Sequence, residues 1–200
     1  MAIGANDVKK LREKTGAGFM DCKQALEQCG GNFEAAVDAL RKKGIAVATK
    51  KADKATQQGI VTSYIHAGDQ VGVMVEVNCQ TDFAARTEQF REFAHNVAMQ
   101  IAAMRPRWVS RDEVPPEALE RERAVLIEQA KAEGKPENIA QKMVEGRMRK
   151  FYEEYCLLDQ KYIRDDSMTI NDLLLDLTGK TGERVVVRRF ARFQVGEELE

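Results

Sequence analysis

Apolar and polar residues alternate most regularly between Val71 and Gln80. There Val71, Val73, Val75, Val77 and Cys79 are separated by Gly72, Met74, Glu76, Asn78 and Gln80. A period of two with one β-branched face predicts a half-buried strand. The period then changes. Phe90, Phe93, Ala94, Val97, Ala98 and Ile101 recur at three and four residues, which puts them on one helix face. Thr81-Asp82-Phe83 stands at the junction. Thr81 can cap a helix through its hydroxyl, and Asp82 sets negative charge at the positive end of the helix dipole. The Phe83 ring is either an ordinary core ring, two turns before Phe90, or an outward-facing one.

Upstream, residues 1–45 read as a three-helix bundle. Asn6 can cap a first helix with Val8 and Leu11 inward, and Thr15-Gly16-Ala17-Gly18 breaks it. Cys22, Ala25, Leu26 and Cys29 share a second helical face that Gly30-Gly31 closes. Asn32 can cap a third helix carrying Phe33, Val37 and Leu40, with Gly44 as its C-terminal stop. Residues 46–58 read as a linker whose Lys50, Lys51 and Lys54 form a solvated basic run, without interleaved aromatics to stack on bases. Residues 59–200 read as a core domain. It opens with a hairpin, Ile60–Ala67 and Val71–Gln80 around a Gly68-Asp69 turn. A third strand covers Glu183–Val195. Between them lies a helical excursion around 105–168. It holds two helices within 115–150 broken near Gly134-Lys135-Pro136 and a short one over 151–162. A further short helix over 169–177 follows, with Gly179 and Gly182 as stops. The predicted class is α+β: a small N-terminal three-helix bundle, then a small antiparallel sheet covered by helices.

Charge and chemistry narrow the function. The chain has 200 residues with 31 basic and 32 acidic side chains, a net charge of −1, which argues against direct nucleic-acid binding. The cysteines at 22, 29, 79 and 156 have neither metal-ligand spacing nor the density of a disulfide framework, so no metal and no cofactor are expected. No apolar run is long enough to span a bilayer, and Met1-Ala2-Ile3-Gly4 opens no signal-peptide pattern, so the expected location is cytoplasmic. His66, on a strand, and His95, on the long helix, lack a nucleophile partner, and His95 reads as structural. No GxxxxGK[ST] loop is present to cradle a phosphate. No catalytic residue is assigned.

The Val71–Arg86 segment resembles the T-D-F-V-A signature of the elongation factor Ts family. The resemblance extends along the chain. Val8-Lys9-Lys10-Leu11-Arg12-Glu13-Lys14-Thr15-Gly16-Ala17-Gly18-Phe19-Met20-Asp21-Cys22-Lys23-Gln24-Ala25-Leu26 resembles the family's opening signature. Leu40-Arg41-Lys42-Lys43-Gly44, His66-Ala67-Gly68, Gly72-Val73 and Phe190-Ala191-Arg192-Phe193 with Gly196-Glu197 follow in the family's order. The sequence departs from the pattern twice: Ala84 stands where the family usually has Val, and only one sheet module is visible, as in short members of the family.

The resemblance implies a ubiquitin-associated-type (UBA-like) N-terminal bundle and guanine-nucleotide exchange on elongation factor Tu, with no covalent chemistry. It implies that Thr81, Asp82, Phe83 and Ala84 form a wedge that disturbs the partner's Mg²⁺ and phosphate binding. Phe83 would enter between helices, Asp82 would perturb the polar network by the metal, and Thr81 would hold the corner. It further implies that Phe19 and Met20, with Leu11 nearby, dock on the GTPase. From the residues alone, Phe19 and Met20 read instead as plugs of the bundle core. A homodimer is expected, because one short chain supplies about three strands with unpaired edges. Two other readings stand beside exchange. One is a UBA-type interaction adaptor, and the other is a small enzyme using Asp82 or Glu76, for which the sequence supplies no partner group.

Overall fold

A computed structural model describes residues 3–134 and 136–198. The fold is α+β. Its helices are α1 (Ala5–Thr15), α2 (Phe19–Gln28), α3 (Phe33–Lys50), α4 (Asp82–Ala85), α5 (Glu88–Met104), α6 (Pro116–Ala132), α7 (Glu137–Tyr155) and α8 (Ile170–Thr181). Its strands are β1 (Gln58–Ile65), β2 (Val71–Cys79), β3 (Lys161–Tyr162), β4 (Asp165–Thr169) and β5 (Val186–Gln194). Among the described residues the main sheet is antiparallel and runs β1-β2-β5, and β3 pairs antiparallel with β4. The chain forms two compact units. One comprises residues 3–62, 76–95 and 172–188, and the other 63–75, 96–171 and 189–198.

The alternation in β2 is realised as read. Val73, Val75, Val77 and Cys79 are buried while Met74 is exposed. The α5 face is buried too, through Phe90, Phe93, Ala94, Val97, Ala98 and Ile101. The hairpin turn uses positive φ at Gly68 and Asp69, and the Asp69 N–H donates to His66 O at 3.0 Å.

In the first unit, α1–α3 close over Val8, Leu11, Ala17, Cys22, Ala25, Leu26 and Ala36. The first helix starts one residue before the expected cap. Gly4, not Asn6, is the N-cap, and its N–H donates to Asp7 Oδ2 at 3.3 Å. Gly16 ends α1 in the left-handed region, and Asn32 caps α3 by accepting the Ala35 N–H at 3.1 Å.

Gly44 is not a stop. Helix α3 runs through it to Lys50, so the first residues of the expected linker are helical. The physical reason is close approach to α8. A Cβ on Gly44 would fall inside the carbonyl of Leu175, and one on Gly179 would lie 2.9 Å from the Gly44 Cα. Gly179 therefore does not end α8 either; Gly182, in the left-handed region with φ 65°, follows its last residue. The α3–α8 contact is flanked by an Arg41–Asp172 ion pair and by Lys51 Nζ donating to Gly182 O. The Arg184 guanidinium donates to Lys54 O at 2.8 Å.

In the second unit, α6 and α7 form a helical hairpin over Leu126, Ala130, Val144 and Met148. Their break falls where expected, although Lys135 lies outside the described residues, as do Met1 and Ala2 of the opening tetrapeptide. The short helix expected over 151–162 does not form. The chain leaves α7 at Tyr155, because the Leu157 and Leu158 N–H groups donate to Trp108 O and Val109 O at 2.9 and 3.0 Å. A 3-10 turn and the β3–β4 pair take its place. Two fully buried glutamines hold this region. Gln100 Nε2 donates to Gln160 Oε1 at 3.2 Å and to Lys161 O at 3.0 Å, and Gln160 Nε2 donates to Glu154 O at 2.7 Å. Buried amides so fully bonded are tolerated, because each lost water contact is replaced.

Candidate functional site: an exposed phenylalanine on a braced corner

Helix α4 is a single turn at the exit of β2. Thr81, in extended conformation, caps it by accepting the Ala84 N–H at 3.3 Å. Thr87 then joins α4 to α5: its hydroxyl donates to Ala84 O at 2.8 Å and accepts the Phe90 N–H at 3.3 Å. The expected single helix is thus two, with the corner projecting between them. Ala84 and Ala85 are buried beneath it. Phe83 is 80% exposed, so it is not a core ring. A phenyl group left in water forgoes on the order of 1.5–3 kcal/mol of burial. Asp82 pairs with Arg86 one turn on, at 2.9 Å and largely in solvent. Exposed i,i+4 pairs contribute only about 0.3–0.5 kcal/mol, so this carboxylate is readily available to another partner.

The corner is braced from a distant part of the chain. Glu183, at the α8–β5 junction, accepts both the Thr81 N–H at 3.0 Å and the Thr81 hydroxyl at 2.7 Å, one on each carboxylate oxygen. Charge-assisted bonds of this kind are roughly twice as strong as neutral ones. Beside it, the Arg184 N–H donates to Gln80 Oε1 at 3.1 Å. Cys79 Sγ donates to Thr81 O at 3.1 Å; burial pushes this thiol's pKa up, and the nearby Glu183 charge adds to the shift. Sequence reasoning missed Glu183, since nothing local marks a carboxylate whose partner lies 102 residues away.

The second candidate surface is the start of α2. Phe19 and Met20 occupy its first turn and are 47% and 68% exposed, so they do not plug the bundle core. Leu11, expected beside them as a docking residue, is fully buried in that core. A side chain without exposed surface offers a partner no contact, so Leu11 is a core residue of the bundle and not a docking one. The preceding loop is tied down by Gln89 Nε2, which donates to Gly16 O at 3.1 Å.

Other candidate chemistry is sparse. His95 is exposed, and His66 shares a 3.0 Å hydrogen bond with the Tyr64 hydroxyl. Among the described residues no group of His, Cys, Asp or Glu side chains could hold a metal ion, and no helix is long and apolar enough to cross a membrane.

A family model described as Elongation factor TS matches residues 13–197. The chain is 58% identical over 198 residues to a protein named Elongation factor Ts from Nitratidesulfovibrio vulgaris (strain DSM 19637 / Miyazaki F), covering 99% of both chains. It is 54% identical over 198 residues to the protein of that name from Desulfitobacterium hafniense, covering 99% of this chain and 91% of the relative. The corresponding protein of Caldanaerobacter subterraneus subsp. tengcongensis is also 54% identical, with 99% of each covered. Matched over nearly its whole length in this way, the chain belongs to the elongation factor Ts family.

Proposed function

We propose that the protein is a guanine-nucleotide exchange factor for elongation factor Tu, acting in the cytoplasm during translation elongation through protein contacts alone. The observation that carries this reading is Phe83, a large apolar ring held out in water on a corner that hydrogen bonds fix from beneath. Phe83 is the wedge, entering between helices of the GTPase near its Mg²⁺. Asp82, released from its weak pair with Arg86, competes for the polar groups beside that ion. Thr81 fixes the corner, and the buried Ala84 sets its footing. Phe19 and Met20 supply docking area; methionine suits such a surface because it is soft and adaptable.

The work is done by linkage. The factor binds the GTPase conformation in which phosphate and Mg²⁺ contacts are disturbed. Whatever affinity the factor loses when GDP is bound, GDP loses when the factor is bound. No bond in the factor is made or broken. Exposed apolar residues on the main sheet in the second unit, Ile65, Met74 and Phe193, support a working form that is a homodimer.

The deciding experiment is release of fluorescent GDP from purified elongation factor Tu. Catalytic amounts of the protein should accelerate release at least a hundredfold over the spontaneous rate. A release rate unchanged by a saturating amount of the protein overturns the reading.

A further inference from the structure

We propose that Glu183 is the positioning residue of the exchange corner, and that residues 179–184 splint this corner to the N-terminal helices; the proposal rests on the exchange reading. The contacts of this short segment reach both surfaces. Gly179 packs on Gly44 of α3, and Gly182 O accepts from Lys51. Glu183 holds the N–H and hydroxyl of Thr81. The Arg184 N–H holds Gln80, while its guanidinium holds Lys54 O. Four residues within a stretch of six thus carry partners from α3, from the chain that follows it, and from the base of the wedge.

The corner needs such a support. Helix α4 is one turn long and has no stability of its own, since helix nucleation is unfavourable and a single turn gains little from propagation. Its cap is Thr81, and the Thr81 hydroxyl must turn its proton away from α4 to accept the Ala84 N–H. Glu183 Oε1 takes that proton, and Oε2 takes the Thr81 N–H, so the rotamer and the backbone of the cap are set together. A wedge delivers its binding energy to the exchange step only when it is held in the reacting geometry, because a freely hinged ring spends that energy on its own ordering. Docking through Phe19 and Met20 does not depend on Glu183. Loss of the brace should therefore reduce the maximal exchange rate and leave the concentration for half-maximal rate nearly unchanged.

The test uses the full chain with Glu183→Ala and Glu183→Gln, each alone and combined with Phe83→Ala. Exchange on elongation factor Tu·GDP is measured against factor concentration. Glu183→Ala should lower kcat at least tenfold with KM within about twofold of the parent. Glu183→Gln keeps one acceptor for Thr81 and should fall between the two. Combined with Phe83→Ala, either change should cost nothing further, because residues acting as a unit are non-additive. The Thr81 amide, followed by hydrogen exchange in the free protein, should lose protection in Glu183→Ala. Additive losses in the double variants, a change in KM alone, or full kcat in both single variants would overturn the proposal. If Glu183→Ala unfolds at the assay temperature, Glu183→Gln carries the same test. Failure of the parent chain itself to release GDP would instead sink the exchange reading, and the amide protection would still report whether Glu183 orders the corner.

Discussion

Gly44 and Gly179 meet face to face where α3 crosses α8, so closely that a Cβ on Gly179 would stand 2.9 Å from the Gly44 Cα. The two residues let the helix backbones touch, and the contact joins α3 to the helix whose end leads into Glu183, the brace of the Thr81-Asp82-Phe83 corner.

Alanine at either position should destabilise the protein, although alanine is the better helix former by about 1 kcal/mol. At Gly44 the new methyl meets backbone that cannot rotate away, and overpacking of this kind costs about 1–3 kcal/mol, with the helix gain set against it. The control is Gly146, exposed in the interior of α7 with nothing within 4 Å of a built Cβ. Gly146→Ala should raise stability by about 0.5–1 kcal/mol. Opposite signs in thermal melts of Gly44→Ala and Gly146→Ala are expected, and equal signs would contradict the close-approach account.

Phe83→Ala should separate function from stability. An exposed ring contributes little to the folded state, and surface substitutions usually stay within about 0.5 kcal/mol. As an interface hot spot the same ring is worth on the order of 2 kcal/mol or more, over tenfold in affinity. Exchange efficiency, kcat/KM, should fall by at least that factor while the melting temperature stays within about a degree. A fall in melting temperature with normal GDP release per folded molecule would refute the wedge.

The strand Val71–Cys79 and the buried face of α5 were legible in the sequence because each is a one-dimensional period that no distant residue alters. The corner between them was legible as a cap, and the outward turn of Phe83 followed only from the family resemblance. Gly44 and Gly179 were misread for a reason of chemistry: a glycine that ends a helix and one that admits a crossing helix have the same local sequence. The stretch after Tyr155 carries enough Leu and Tyr to read as helix, but its N–H groups are taken by the chain near Trp108. Glu183 shares this character, since its importance lies wholly in a partner from another part of the chain.

The start of α2 and the core beneath it predict contrasting defects. Phe19→Ala with Met20→Ala removes exposed side chains, so KM for the GTPase should rise severalfold with kcat and melting temperature nearly unchanged. Leu11→Ala empties a fully buried site and should cost about 2–5 kcal/mol of stability. Surface plasmon resonance on immobilised elongation factor Tu, read beside thermal melts, distinguishes them. Undiminished binding by the Phe19/Met20 double variant would remove these residues from the docking surface.

Cys156 predicts a loss of stability in alkali. It is fully buried, and burial, with the Asp159 charge adding to it and the Arg111 charge opposing, pushes its thiol pKa from 9.0 up to about 11. The folded state therefore keeps a proton that the unfolded chain releases. Its contribution is complete below pH 9 and is lost as the pH rises towards 11, by at most about 2–3 kcal/mol. Denaturant midpoints measured from pH 8 to 10.5 should fall more steeply for the parent than for Cys156→Ala, whose other titrations are shared. Parallel slopes would show that Cys156 does not titrate differently in the two states.

The exposed side of the main sheet in the second unit predicts the oligomeric state. Ile65 at the end of β1, Met74 in β2 and Phe193 in β5 are large apolar side chains left in water. Ile65 lies over Gly72, where a built Cβ would stand 3.0 Å from Ile65 Cδ1. The order β1-β2-β5 leaves β1 and β5 as edges, and a three-stranded sheet that leaves such side chains in water is a poor end state for a chain acting alone. A second copy presenting the same face is the economical cover, because a two-fold pair satisfies both copies with one contact. Light scattering at micromolar concentration should give twice the 22.5 kDa of one chain. Phe193→Asp with Met74→Asp should return the mass to one chain, since burying two carboxylates in an apolar contact costs several kcal/mol. A parent protein that scatters as a single chain while exchanging nucleotide at full rate would establish the monomer as the working form.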